Sequence, residues 1–412
     1  MGGRVGGGGD GGGKVAAAYR VVPIQGKGMG ALATRAIGLG ERILAEAPLT
    51  LQGPGLPALE ETVRALPPDK REQFFELSHA ATLYGRQKTV AGIAATNGIP
   101  FRVAGKLFGG VFFAASRFNH SCDAVRARRS RRTKSMPHSH APAAHSLPAS
   151  HPIRLLPPQN CAFKWNHDLR QLTVHCCKPG IAAGHELTFN YGFGAIFAPR
   201  ETRRQHLQRN FGFECMCAKC ALRGSALAAS ESRIDLIGED TAIIRELAQF
   251  GSQQAVLDNE PSAVLTRLEQ RYRLMTMEEG GTGGVYHGIE GILQAFVELC
   301  DYAATALVMM GSHSKELARH AAVNAKAAAY RAAARRWAEA ARQAVRMLAG
   351  DDSPAYRAWS AAIESGCWDD DGAKRAAAPR FIELWLREGL NPSPLCVVEA
   401  PQQSHLWQMP PV

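Results

Sequence analysis

No run of apolar residues in this 412-residue chain approaches the ~20 that a membrane-crossing helix requires, so no span is expected. No basic segment leading into an apolar one opens the sequence, which argues against a secretory signal. Position 6 is Gly6, where N-myristoylation asks for Ser or Thr. Residues 1–18 are mostly glycine and alanine and are expected to be a disordered tail. Cysteine is also scarce. Ten in a chain of this length are too few for a disulfide scaffold, and residues 52–116 contain none. Cys215, Cys217 and Cys220, spaced C-x-C-x2-C, point instead to a metal held in a reducing compartment, the nucleus or the cytoplasm.

Acid is missing from residues 125–159, which carry seven Lys/Arg and no Phe, Trp or Tyr. Most of the formal charge of +11 comes from this one segment, and without it +4 remains. The basicity therefore reads as a solvated loop, and nucleic acid is not expected as a direct ligand. A stretch with no acid, no aromatic and no periodicity cannot bury a face, so disorder is expected. The flanking residues, Ser121-Cys122-Asp123-Ala124 and Asn160-Cys161-Ala162-Phe163, would join smoothly if the 35 residues were absent. Every valine codon begins GT and a glutamine codon can end AG, so Val125 and Gln159 fall where the ends of an unspliced intron would lie. The rival is a real basic loop serving nuclear import or a partner. Transcript reads that pass from codon 124 to codon 160 are the expected result; an insert in every mature transcript would refute it.

The chain is long enough for two domains, or for one with a large extension. From Tyr19 to Leu51, short apolar runs broken by glycines read as β, with a hairpin expected at Gly38-Leu39-Gly40. A helical insert is expected over 52–116, where Asp69 with Glu72 forms a capping-box pattern. Phe163 and Trp165 alternate on one strand; Leu172, Val174 and Cys176 alternate on the next, with Asn166-His167-Asp168 as the turn. Cys161, Cys176 and Cys177 read as small apolar strand residues, the two neighbours pointing to opposite faces. From about 222 the chain turns alanine-rich and helical. Leu265, Leu268, Tyr272 and Met275 make one stripe, Gly280–Gly284 break it, and helices are expected near 287–310 and 315–349.

Three motifs carry the chemistry: Gly26-Lys27-Gly28-Met29-Gly30, then Arg117-Phe118-Asn119-His120-Ser121-Cys122, then ELTFNYG from Glu186, followed by the cysteine trio. In that order they resemble the SET-domain protein-lysine methyltransferases, nearest the SMYD-like branch with a split SET domain. The resemblance implies an α+β fold: a SET domain of short strands over 19–221, with a helical insert and a post-SET zinc site. An α-helical, TPR-like domain over 222–412 would follow and form one wall of the substrate cleft. It further implies transfer of methyl groups from S-adenosylmethionine to the amine of a protein lysine. Tyr191 is the implied catalytic residue, its hydroxyl aimed at the transferring methyl.

Implied cofactor contacts are Lys27, Gly28, Met29, Gly30, Asn119, His120, Tyr191, Phe211 and Phe213. Lys27 would meet the donor's carboxylate and Phe213 would stack on adenine. Phe211 stands where several relatives have a second tyrosine. Cys122 would join Cys215, Cys217 and Cys220 as the fourth ligand of a structural zinc. With no cysteine in residues 52–116, the zinc-binding MYND finger of the SMYD proteins is expected to be absent, and Met29 replaces the arginine frequent between the two glycines. A protein substrate and a monomeric state are expected. A zinc-stabilised SET-fold interaction scaffold with little or no turnover is the alternative; failure to bind S-adenosylmethionine would favour it.

Overall fold

The computed structural model describes residues 17–103, 106–122, 160–191, 197–249, 261–278, 289–312 and 317–369. The basic segment 125–159, Gly280–Gly284 and all but the end of the Gly-rich tail lie outside the described residues. Short strands form three small sheets. The first has the order β1 (Tyr19–Ile24), β2 (Gly28–Ala33), β10 (Glu186–Phe189), β7 (Asn119–His120). The second runs β3 (Arg42–Glu46), β9 (Gln171–Cys176), β8 (Cys161–Asn166). The third runs β4 (Thr50–Gln52), β6 (Lys106–Val111), β5 (Gly98–Val103). Pairing is antiparallel throughout, except that β7 lies parallel to β10.

The insert holds α1 (Leu59–Arg64), α2 (Pro68–Glu76), α3 (Ala81–Tyr84) and α4 (Val90–Asn97). It is helical only to Asn97, after which the β5–β6 hairpin takes over. The expected Asp69 cap does not form. Pro67 is the N-cap and Pro68 the first helical residue, because a fixed φ and a missing N–H suit that position. The hairpin expected at Gly38–Gly40 is also replaced. β2 is flanked by β1 and β10, so no edge is left for β3, which runs along β9 instead. The actual hairpin is β1–β2, turning at Gln25–Lys27, where Gly26 takes φ 76° and Lys27 N–H donates to Ile24 O at 3.0 Å.

The β8–β9 hairpin forms as expected, with Asn166 Oδ1 accepting from the Asp168 and Leu169 amides at the turn. Its two faces enter different cores. Phe163, Leu172, Val174 and Cys176 pack with Phe118 and Phe189 inside the sheets. Ala162 and Cys177 pack instead among the C-terminal helices. Those are α6 (Gly224–Gln249), α7 (Pro261–Glu278), α8 (Ile289–Ser312), α9 (Leu317–Ala349) and α10 (Pro354–Ser365). The alanines of α9 at 334, 338, 341 and 344 are buried, a small-residue stripe that lets α8 approach closely. Trp337 closes the gap by stacking on Phe296, centroids 4.1 Å apart. No helix among the described residues is long and apolar enough to cross a membrane.

α9 lies directly on β8 and β9, so the helical layer completes a core rather than standing beside one. A chain truncated at 222 is therefore expected to lose cooperative unfolding in urea. A cooperative transition in the truncated chain would show that the sheets hold without the helices.

His175 is buried at this junction, its Nε2 accepting from Arg42 Nε at 3.2 Å while Arg42 pairs with Asp352. Burial, and then the Arg42 charge, push its imidazole down to about 4. The unfolded chain would take up that proton near 6.5, so stability should fall as pH drops from about 6.5 to about 4, by up to ~3 kcal/mol. His175→Gln keeps an acceptor for Arg42 but cannot titrate. Urea unfolding between pH 7 and pH 5 should show a smaller loss in the variant; identical losses would exclude His175 as the source.

Candidate active site

The order β2–β10–β7 brings the three sequence motifs to one place. Leu187 pairs with Ala31 on one side of β10, while Thr188 and Phe189 pair with Asn119 and His120 on the other. Tyr191 follows two residues beyond the strand. Its hydroxyl donates to Phe118 O at 2.8 Å, and its ring is boxed by His120, Phe189, Phe211 and Phe213 at centroid distances of 5.0–6.4 Å. Burial, and then the Glu186 charge, raise the phenol well above its ordinary range, so it stays a hydroxyl at neutral pH.

Beside Tyr191 opens a pocket lined by Phe163, Phe189, Phe211, Ser116 and residues 96–100. No described residue beyond 222 lines it. Among the described residues, the end of α4 and the start of β5 form one wall of this pocket, while α9 packs on β8 and β9.

His120 links two parts of the site. Its Nδ1 accepts the Tyr191 amide at 2.9 Å, and its Nε2 lies 3.0 Å from Cys122 Sγ. Burial keeps the ring neutral, pushed down to about 3. A neutral imidazole has one donor and one acceptor, so accepting at Nδ1 places the proton on Nε2, pointing at the sulfur.

Cys122, Cys215, Cys217 and Cys220 are all buried, their sulfurs within 4.8 Å of one another. Cys122 Sγ is 3.8 Å from Cys215 Sγ and 3.7 Å from Cys220 Sγ. A tetrahedron with metal–sulfur bonds of about 2.3 Å has edges of about 3.8 Å, so the four thiols fit a zinc ion. Arg203 of α5 (Arg200–Phe211) is buried against the cluster, Nη2 lying 3.7 Å from Cys220 Sγ. A buried guanidinium there favours thiolates and balances part of their charge. Lys219, between two of the cysteines, forms a buried ion pair with Glu278 of α7, tying this loop to the helical layer.

The remaining motif residues converge on Glu186. Its two carboxylate oxygens accept from Lys27 Nζ at 2.8 Å and Asn119 Nδ2 at 2.9 Å, and the side chain is 7% exposed. Gly30 faces the same spot: a Cβ there would come within 2.6 Å of Asn119 Nδ2 and 2.5 Å of Ile24 Cγ1. Gly28 and Met29 lie exposed on the same strand, Gly28 at φ 75°. The structure thus gathers Tyr191, His120, Phe211, Phe213 and the four cysteines into one cluster. It places Lys27, Gly30 and Asn119 around Glu186 beside it. Sequence reasoning gave no role to Glu186 or Arg203. The signal for Glu186 was a lone charge opening an otherwise buried strand; nothing marked Arg203 among the four arginines of its helix.

No protein-family model matches the chain. It is 27% identical over 206 residues to the histone-lysine N-methyltransferase set5 of Schizosaccharomyces pombe. The matched stretch covers half of this chain, and the chain spans about half the length of that relative. This distant similarity agrees with the SET-methyltransferase resemblance carried by the three motifs.

Proposed function

We propose that the protein transfers methyl groups from S-adenosylmethionine to the side-chain amine of a protein lysine, on a SET fold of the SMYD-like kind that lacks the MYND finger. The observation that carries this reading is the Tyr191 hydroxyl, fixed at 2.8 Å on a main-chain carbonyl at the wall of an aromatic pocket. Displacement at a sulfonium methyl releases a neutral thioether, so it needs alignment and a neutral amine rather than an acid. Lysine is charged in water, with a pKa of about 10.4, and an apolar channel disfavours the ammonium. Phe163, Phe189 and Phe211 supply such surroundings, and Tyr191 offers a polar contact at the reacting end. Phe211 in place of a tyrosine leaves the amine free of a second hydroxyl.

Asn119, Gly28, Met29, Gly30, Phe213 and the main chain at His120 are assigned to the donor. The four cysteines are assigned to a structural zinc, which when bound would tie the segment after β10 to the β7 motif. The helical layer reads as TPR-like. The similarity to a histone-lysine methyltransferase supports a nuclear substrate, with cytoplasmic proteins as the other class. The test is transfer of radiolabelled methyl from S-adenosylmethionine onto histones and onto a whole-cell extract. Label in a lysine of one protein is expected. Absence of both transfer and S-adenosylmethionine binding would leave the interaction scaffold as the function.

A further inference from the structure

We infer that Glu186 is a positioning residue which sets the polarity of the donor site, orienting Asn119 to accept a hydrogen bond from the ammonium of the donor's amino-acid end. This rests on the methyl-donor reading above. A carboxylate can only accept, so the Asn119 amide must turn its NH2 group toward Glu186, as the 2.9 Å contact records. Oδ1 then faces the other way, and Asn119 is only partly buried, so a ligand can reach it. Polarisation by the carboxylate behind the amide makes that oxygen a stronger acceptor and favours a cationic partner. Gly30 keeps the space in which the amide sits. Lys27 acts through Glu186: its ammonium neutralises the buried carboxylate at 2.8 Å and is not a free cation for the donor's carboxylate.

Glu186→Gln should reverse the Asn119 amide. Glutamine keeps the shape but has a single carbonyl oxygen, which Lys27 and Asn119 both require. The charged donor wins, so the glutamine NH2 faces Asn119 and the asparagine flips, presenting NH2 where the ligand ammonium must sit. Adding Lys27→Met frees the glutamine oxygen for Asn119 and restores the original orientation.

The test is calorimetric titration of S-adenosylhomocysteine and of methylthioadenosine, which lacks the amino-acid end, into the parent, E186Q and the K27M/E186Q double variant. E186Q should weaken S-adenosylhomocysteine about 10- to 100-fold, the loss when a donor meets a charged donor, and leave methylthioadenosine within about 3-fold. The double variant should regain most of the lost affinity. Equal weakening of both ligands would assign Glu186 a general structural role and overturn the inference. No weakening in E186Q would overturn it too. A double variant worse than E186Q would mean that Lys27 holds the donor directly, again overturning it. A parent that binds neither ligand would overturn the methyl-donor reading along with it.

Discussion

Tyr191→Phe is expected to slow methyl transfer about 100- to 1,000-fold, the usual consequence of removing one fixed polar group from a reacting centre. Affinity for S-adenosylmethionine should stay within a few-fold. The ring would keep its packing against His120, Phe189, Phe211 and Phe213, because none of those contacts involves the hydroxyl. Only the bond to Phe118 O is lost, so the stability cost should be about 1 kcal/mol. The Tyr191 amide would still donate to His120 Nδ1, so the backbone should not move. Single-turnover rates with a saturating donor separate chemistry from binding. A variant as fast as the parent on a confirmed substrate would remove Tyr191 from the mechanism. A variant that loses donor affinity in the same proportion would make the tyrosine a binding residue instead.

What was legible in the sequence followed from local periodicity. Period-two alternation at Phe163 and Trp165, and at Leu172, Val174 and Cys176, marked a hairpin that the structure contains. The Cys176-Cys177 pair does send its two side chains into opposite cores. Pairings set by distant segments were not legible. Gly38-Leu39-Gly40 has hairpin composition, yet β2 finds β10 and β3 finds β9, partners more than a hundred residues away. Local signals also compete: Asp69 and Glu72 make a capping pattern, but Pro67 and Pro68 immediately before them start the helix first. In the site, the motif residues were visible singly, whereas Glu186 matters only because three strands bring Lys27 and Asn119 to it. The pocket wall from residues 96–100 was hidden for the same reason, since the insert folds back onto Tyr191 from ninety residues upstream.

Replacing Cys217 and Cys220 together by serine is expected to abolish a zinc content of one ion per chain and to disorder the loop that carries the cysteines. Four thiolates in a closed tetrahedron contribute on the order of 10–16 kcal/mol in small zinc-dependent folds, comparable to the whole stability of an ordinary domain. Neither of the two large cores contains any of the four cysteines, so the rest of the chain should stay folded while the cysteine loop does not. The damage should still reach the active site. Cys122 holds the Nε2 side of His120, and the Nδ1 side holds the Tyr191 amide, so loosening the sulfur cluster loosens the tyrosine. Phe211 and Phe213 pack on the same cluster and would move with it. His120→Asn offers a milder probe of that path. It keeps all four cysteines, so zinc content should remain at one per chain. Release to a chelator should quicken about 10- to 100-fold, the typical effect of losing a hydrogen bond behind a metal ligand. Metal analysis reads the first variant and chelator kinetics the second. Parent-level zinc in the double serine variant would rule out the four-cysteine site. Unchanged release from His120→Asn would break the proposed path to Tyr191 while leaving the metal site standing.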